Sequence, residues 1–149
     1  MTQTNADALN LDIQTRTAIT SQKSNNHTMK IVLNTLNSMN THEGKLTLTH
    51  EGPVLVTTIQ DVDLAGGVAI MQDVTQNLTS ITGYNRMDTE PQGLLVTMRG
   101  NADMLDQAQN KLSNMGVSAQ QNEDTKSLQL DLAEKSPLKV LQSLQNILN

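Results

Sequence analysis

The sequence predicts an α+β fold, a two-layer sandwich with helices on one face of a mainly antiparallel sheet. Three observations lead there. Apolar residues alternate or run together over short extended stretches at 45–49, 53–59 and 93–99. Between and around those stretches they recur at three-to-four-residue spacing, the rhythm of helices buried along one side. Strands and helices therefore interleave along the chain, which favours a layered body over a bundle or a barrel.

The elements follow in order. Residues 1–25 are polar apart from a Leu9, Ile13 pairing and read as a flexible lead-in or a loosely docked helix, with the folded domain expected over 26–149. Met29, Val32, Leu36 and Met39 after Thr28 predict a helix over about 28–40. KLTLT at 45–49 alternates and suits an outer strand, whereas PVLVTTI at 53–59 is apolar on both faces and suits a more central one. Leu64, Val68, Met71, Val74, Leu78 and Ile81 mark the longest helix, about 63–82, with Asp61 or Asp63 near its start and Gly83 as its stop. The loop YNRMDTEPQ leads into GLLVTMR at 93–99, a strand buried on both faces. Asn101 can cap a helix carrying Leu105, Ala108, Leu112 and Met115, ended by Gly116. VSAQ and SLQLDL flank the turn-like NEDTK as a hairpin, and Ser136-Pro137 opens a last helix on Leu138, Leu141, Leu144 and Leu148. The two halves supply an α-β-β and a β-α-β-β unit that can share one sheet, as in ferredoxin-like folds and their circular permutations.

Composition narrows the function. A net charge of −5 and a single aromatic, Tyr84, exclude nucleic acid as a main partner, because such binders need a basic footprint and stacking rings. With no cysteine there is no thiol chemistry and no disulfide framework, and 149 residues suffice for a core without either staple. No run approaches the roughly 20 apolar residues that span a bilayer, so a membrane is expected only through an anchor outside this chain.

The most chemical-looking residues are a doubled Thr-His-Glu-Gly, at 41–44 and 49–52. With 45–49 extended at about 3.3 Å per residue, His42 and His50 lie far too far apart to share an ion. Each copy instead ends in Gly at a strand boundary, so turns explain both. Gly66 and Gly67 could expose amides to an anion at a helix start, but no phosphate-loop pattern surrounds them and close packing is the expected role. Asp61 with Asp63, and Glu123 with Asp124, sit at caps or turns where carboxylates are ordinary. No nucleophile, base and metal set converges, so a non-catalytic protein without a cofactor is expected. Arg99 follows a buried strand and can reach over the sheet edge, and Tyr84 beside Arg86 and Met87 could anchor an interface.

The stretch GLLVTMRGNADMLDQAQNKLSNMGVSAQQ, strand, Arg-Gly, amphipathic helix, then Gly-Val strand, resembles the small ferredoxin-like domains of type II secretion and type IV pilus machines. Those domains belong to inner-membrane platform proteins, and the preceding helix with LTLTHEGPVLVTTI is similar to their other half. The resemblance covers residues 28–149. It implies an assembly or scaffolding module on the periplasmic side of the inner membrane, pairing with itself or a sister subunit. A chain that is not such an excised domain would be cytoplasmic. The expected contact surface is KLTLT or the final helix, through Leu46, Leu48, Tyr84, Arg99 and Leu144. The alternative is a small-ligand-binding regulatory domain of the ACT-like type, since a β-α-β-β arrangement can cradle amino acids or nucleotides.

Overall fold

The computed structural model describes residues 9–20, 26–85, 88–131 and 137–148. Its elements are β1 (Asn10–Thr20), α1 (Asn26–Ser38), β2 (Leu46–Glu51), β3 (Val54–Val62), α2 (Leu64–Asn85), β4 (Asp88–Arg99), α3 (Ala102–Asn114), β5 (Gln120–Asn122), β6 (Ser127–Asp131) and α4 (Pro137–Leu148). One six-stranded sheet runs β2-β3-β1-β4-β6-β5, antiparallel at every pairing. The first six elements, βαββαβ in the strand order β2-β3-β1-β4, form a ferredoxin-like unit, and the expected α+β sandwich is the fold observed.

The largest departure from the sequence reading is β1. Residues 10–20, taken above as part of a flexible lead-in, form a central strand held by β3 on one side and β4 on the other. Leu9, Leu11, Ile13 and Ile19 are buried, and Asp12 and Gln14 between them face the open side. The alternation is that of a half-buried antiparallel strand. It was masked because the outward positions carry amides, hydroxyls and charge in a polar neighbourhood. Other bounds shift less. Gly83 lies inside α2, which runs on to Asn85, so it is not a stop. The strand read as 93–99 starts earlier, at Asp88, and buries Leu94, Val96 and Met98 on one face only. Ser136, Arg86 and Met87 lie outside the described residues.

A second regularity organises the molecule. β4, α3, β5, β6 and α4 repeat the order strand, helix, strand, strand, helix already made by β1, α1, β2, β3 and α2. Sheet order repeats too, since β2-β3-β1 meets β5-β6-β4 back to back at an antiparallel β1–β4 seam. Within the seam Ile13 faces Val96, Leu11 faces Met98 and Thr15 faces Leu94, so a pseudo-twofold axis passes beside the Ile13–Val96 pair. That axis places Leu11, Ile13 and Arg16 where β4 has Leu94, Val96 and Arg99. Met29, Val32 and Leu36 of α1 answer to Leu105, Ala108 and Leu112 of α3, and all six are buried. Even the helix ends match. Met39 and Asn40 N–H donate to Leu36 and Asn37 carbonyls, as Met115 and Gly116 N–H donate to Leu112 and Ser113.

All four helices cover one face of the sheet. α2 and α4 meet across the pseudo-axis, α1 flanks α2, and α3 flanks α4. The core between the layers is aliphatic and thioether, with Ile13, Leu64, Val96, Met98 and Leu141 essentially inaccessible. Burying each such side chain contributes about 1.5–3 kcal/mol. The opposite face carries Asp12, Gln14, Arg16, Thr58, Thr97, Arg99 and Gln129, half-buried or exposed. An antiparallel sheet with a single helical layer leaves just such a polar face to water.

Candidate functional site

At one end of the seam β1 begins while β3 and β4 finish, and α2 and α3 start immediately beyond Val62 and Arg99. A bulge between Leu11 and Ile13 breaks the β1–β3 register at Asp12. Opposite it, Asp61 adopts φ +59°, an uncommon conformation for a residue with a Cβ, though one that Asp tolerates. The distortion gathers charges that a regular ladder would keep apart. Arg99 donates from Nη1 to Asp12 Oδ2 at 2.6 Å, and from Nη2 to Asp12 Oδ1 at 3.2 Å and Asn10 Oδ1 at 2.7 Å. Asn10 Nδ2 in turn donates to Asp61 Oδ1. Asp61 N–H donates to Asp12 Oδ1 at 3.0 Å, and Lys45 Nζ donates to the Asp61 carbonyl at 2.8 Å.

The cluster is a closed circuit of two cations and two carboxylates bridged by an amide, partly wet, with Asp12 and Arg99 side chains each 39% exposed. A forked guanidinium–carboxylate pair is among the stronger protein hydrogen bonds. It holds the Asp12 carboxyl below the usual carboxylate range, and Asp12 raises Arg99 in return. Asp61 is lowered first by the Asn10 amide and then by Lys45. Carboxyl groups depressed on folding stabilise the fold above their unfolded pKa of about 3.9, and that contribution disappears as pH falls through the folded value. Asp12→Asn should therefore cost about 0.5–1 kcal/mol at pH 7, solvent exposure limiting the effect. The cost should shrink as pH falls below about 4 and be lost once pH has passed through the lowered folded value. Urea titrations across that range check it, and a gap that stays constant with pH would contradict the assignment.

At the position related by the pseudo-axis, Arg16 pairs with Glu51 instead, and the two shift each other's pKa apart in the same sense. Each half thus keeps its arginine on the open face and finds it a different acid.

The other sequence-derived candidates disperse. Leu46 and Leu48 are 6% exposed and Leu144 is 1% exposed, all packed into the core, so their side chains are not surface groups. Tyr84 is in α2, but its side chain lies outside the described residues. His42 Nε2 meets Asp73 Oδ2 at 2.7 Å, while His50 Nδ1 lies 3.1 Å from the Gly52 carbonyl. The two histidines take separate partners, and the two THEG glycines adopt φ +86° and +59° as turns require. Gly52-Pro53 forms the two-residue link between Glu51 and Val54, with positive φ at the first position. Asp63 caps α2 by accepting from Gly66 N–H, and a Cβ on Gly67 would meet Ile13 Cδ1 at 2.7 Å, which is the close packing expected there. Asn101 caps α3 by accepting from Met104 N–H.

Sequence reasoning found Arg99 and missed Asn10, Asp12 and Lys45, two of which fell in the supposed lead-in. The signal was present: Leu11-Asp12-Ile13-Gln14-Thr15-Arg16 and Leu94-Leu95-Val96-Thr97-Met98-Arg99 share apolar positions and a terminal arginine.

Among the described residues no helix is long and apolar enough to cross a membrane. No protein-family model matches the chain, and no curated protein does. Among solved structures it is similar to an aspartate kinase of Clostridium acetobutylicum, described as an allosteric enzyme, with TM-score 0.33 and 12% identity over 95% of this chain. It is also similar to E. coli aspartokinase III, solved with aspartate and ADP, with TM-score 0.33 and 13% identity over 93% of this chain. The chain spans about a third of each, 34% and 31% of their lengths.

Proposed function

We propose that this chain is a non-catalytic regulatory module of the ACT-like kind, which binds a small ligand bearing both a carboxylate or phosphate and a cationic group. An amino acid, with its carboxylate and its ammonium, fits that description. The observation that carries the reading is the Arg99–Asp12–Asn10–Asp61–Lys45 circuit. It offers a forked cation and adjacent carboxylates at a solvent-reachable end of the seam, beside two helix starts. A zwitterion can exchange into such a circuit charge for charge, Arg99 taking its anion and Asp61 its cation, without leaving a buried charge unpaired. Both half-units meet at that end, so occupancy there biases how they sit against each other.

A thermal-shift panel of amino acids and nucleotides tests it. Ligand at about 100 times Kd adds about 2.7 kcal/mol, which for a chain of this size raises Tm by about 5–10 °C. The shift should vanish in Arg99→Ala while cooperative melting persists. A panel without any concentration-dependent rise removes this reading.

A second reading, assembly, is favoured by a different observation. β2 closes one margin of the sheet with a six-residue strand whose outer side meets no other strand among the described residues. In a secretion or pilus machine, the setting implied by the strand, Arg-Gly and helix pattern, that edge would pair with another subunit.

A further inference from the structure

Within the circuit Arg99 and Asp61 are bridged by one neutral side chain. Asn10 Oδ1 accepts from Arg99 Nη2 at 2.7 Å, and Asn10 Nδ2 donates to Asp61 Oδ1. Asn10 opens β1 directly across from Arg99 and is half-buried, so its short side chain reaches both partners and is still partly open to water. The amide turns an acceptor to a cation and a donor to an anion from the two ends of one planar group. Its oxygen and nitrogen lie about 2.3 Å apart.

That is the polarity of a zwitterion carried by neutral atoms. An α-amino acid in the same place turns a carboxylate oxygen to Arg99 and its ammonium to Asp61, with oxygen and nitrogen about 2.7 Å apart when they lie on the same side. Each contact then has an ionised group at both ends, which strengthens it over the contact the amide makes. The two cations and two carboxylates of the circuit stay balanced, because the entering molecule, like the amide that leaves, has no net charge. A lone carboxylate or a lone amine satisfies one partner and leaves the other to water. Moving the ammonium one or two carbons further along either overreaches the span or folds the molecule back on itself, at a cost in rotational freedom.

The other half of the molecule supplies the contrast. Arg16 stands directly across from Gly93 as Arg99 does from Asn10, and the pseudo-axis sets Leu95 in the place of Asp12. With neither an amide nor a carboxylate at those two places, Arg16 pairs with Glu51. Among the described residues the bridging amide belongs to the Arg99 half, which gives one such seat per chain.

We infer that Asn10 is an internal stand-in for the ligand: its amide fills the seat of an α-amino acid, swings out when one binds, and marks the separation of charges that the site accepts. This deepens the ligand-binding reading above and rests on it.

The 2-, 3- and 4-aminobutanoates contain the same atoms and differ only in where the nitrogen sits, so they test spacing at constant size. Calorimetric titration of the full chain should show one site, with 2-aminobutanoate bound at least about ten-fold more tightly than 4-aminobutanoate. Asn10→Ala, checked for a cooperative melt, should bind 2-aminobutanoate about three- to ten-fold more tightly than the parent, since the seat no longer has to be vacated. The isomer comparison needs no variant and stands even if Asn10→Ala does not fold. Isomers that bind alike overturn the inference, and so does an Asn10→Ala affinity equal to or below the parent's, which would make Asn10 a ligand contact; both leave ligand binding itself intact. Failure of every isomer to bind either chain overturns it too, whereas the thermal-shift panel decides the broader ligand reading on its own.

Discussion

Replacing Leu144 with aspartate is expected to unfold the protein rather than to disturb a contact surface. Leu144 lies on α4 between Leu141 and Leu148, and all three are at most 3% exposed. α4 packs on both α2 and α3, and through α2 it closes the helical layer over the seam. A carboxylate at that place loses its hydration with no cation to receive it, and it also removes a core side chain. The combined cost should exceed about 4 kcal/mol, against a total stability of about 5–15 kcal/mol for a domain of this class. Far-UV circular dichroism should show a cooperative melt lost or lowered by more than about 10 °C. Ser143→Asp, one residue earlier and exposed, should change stability by no more than about 0.5 kcal/mol. A Leu144→Asp chain that melts like its parent would return α4 to the role of an outward face.

That case shows where the sequence was legible and where it stopped. The stripe Leu138, Leu141, Leu144, Leu148 identifies a helix with one apolar side, but periodicity is the same whether that side meets a core or a partner. Only the sheet beneath α2 and α4 decides, and the sheet depends on β1. β1 was the element least visible in the sequence. Its inward residues Leu9, Leu11, Ile13 and Ile19 are interrupted by buried Thr15, and its outward ones are Asn, Asp, Gln and Arg. Such a strand is stabilised almost wholly by neighbours distant in sequence, β3 and β4, so no local window announces it. The candidate site inherits that blindness. Arg99 was visible because a buried strand points it outward, whereas its acid, Asp12, became meaningful only once β1 was set beside β4. Helices, by contrast, carry their own evidence in Asn101, Asp63 and Gly116.

The seam makes the second strong prediction, at Ile13. This residue is fully buried, sits across from Ile59 on one side and Val96 on the other, and supports α2 where Gly67 packs onto it. Ile13→Ala should cost about 3–4 kcal/mol, lowering Tm by about 10 °C, because the gap opens where three elements converge and none can collapse without the others. Gly67 explains how close that approach is: a Cβ there would lie 2.7 Å from Ile13 Cδ1 and 3.6 Å from Val62 Cγ2. Gly67→Ala alone gains about 1 kcal/mol of helix propensity and loses about 1–3 kcal/mol to crowding. Ile13→Val removes the very methyl that is struck, at about 0.5–1.5 kcal/mol. The two changes together should be more stable than their sum by about 1 kcal/mol or more, measured as a double-mutant cycle in urea. Strict additivity would mean that α2 does not bear on β1 through this pair. The pseudo-symmetric position already holds Val96, a side chain without that methyl, so the seam accepts valine at its centre, and in the double variant both central positions of the β1–β4 pair would carry it.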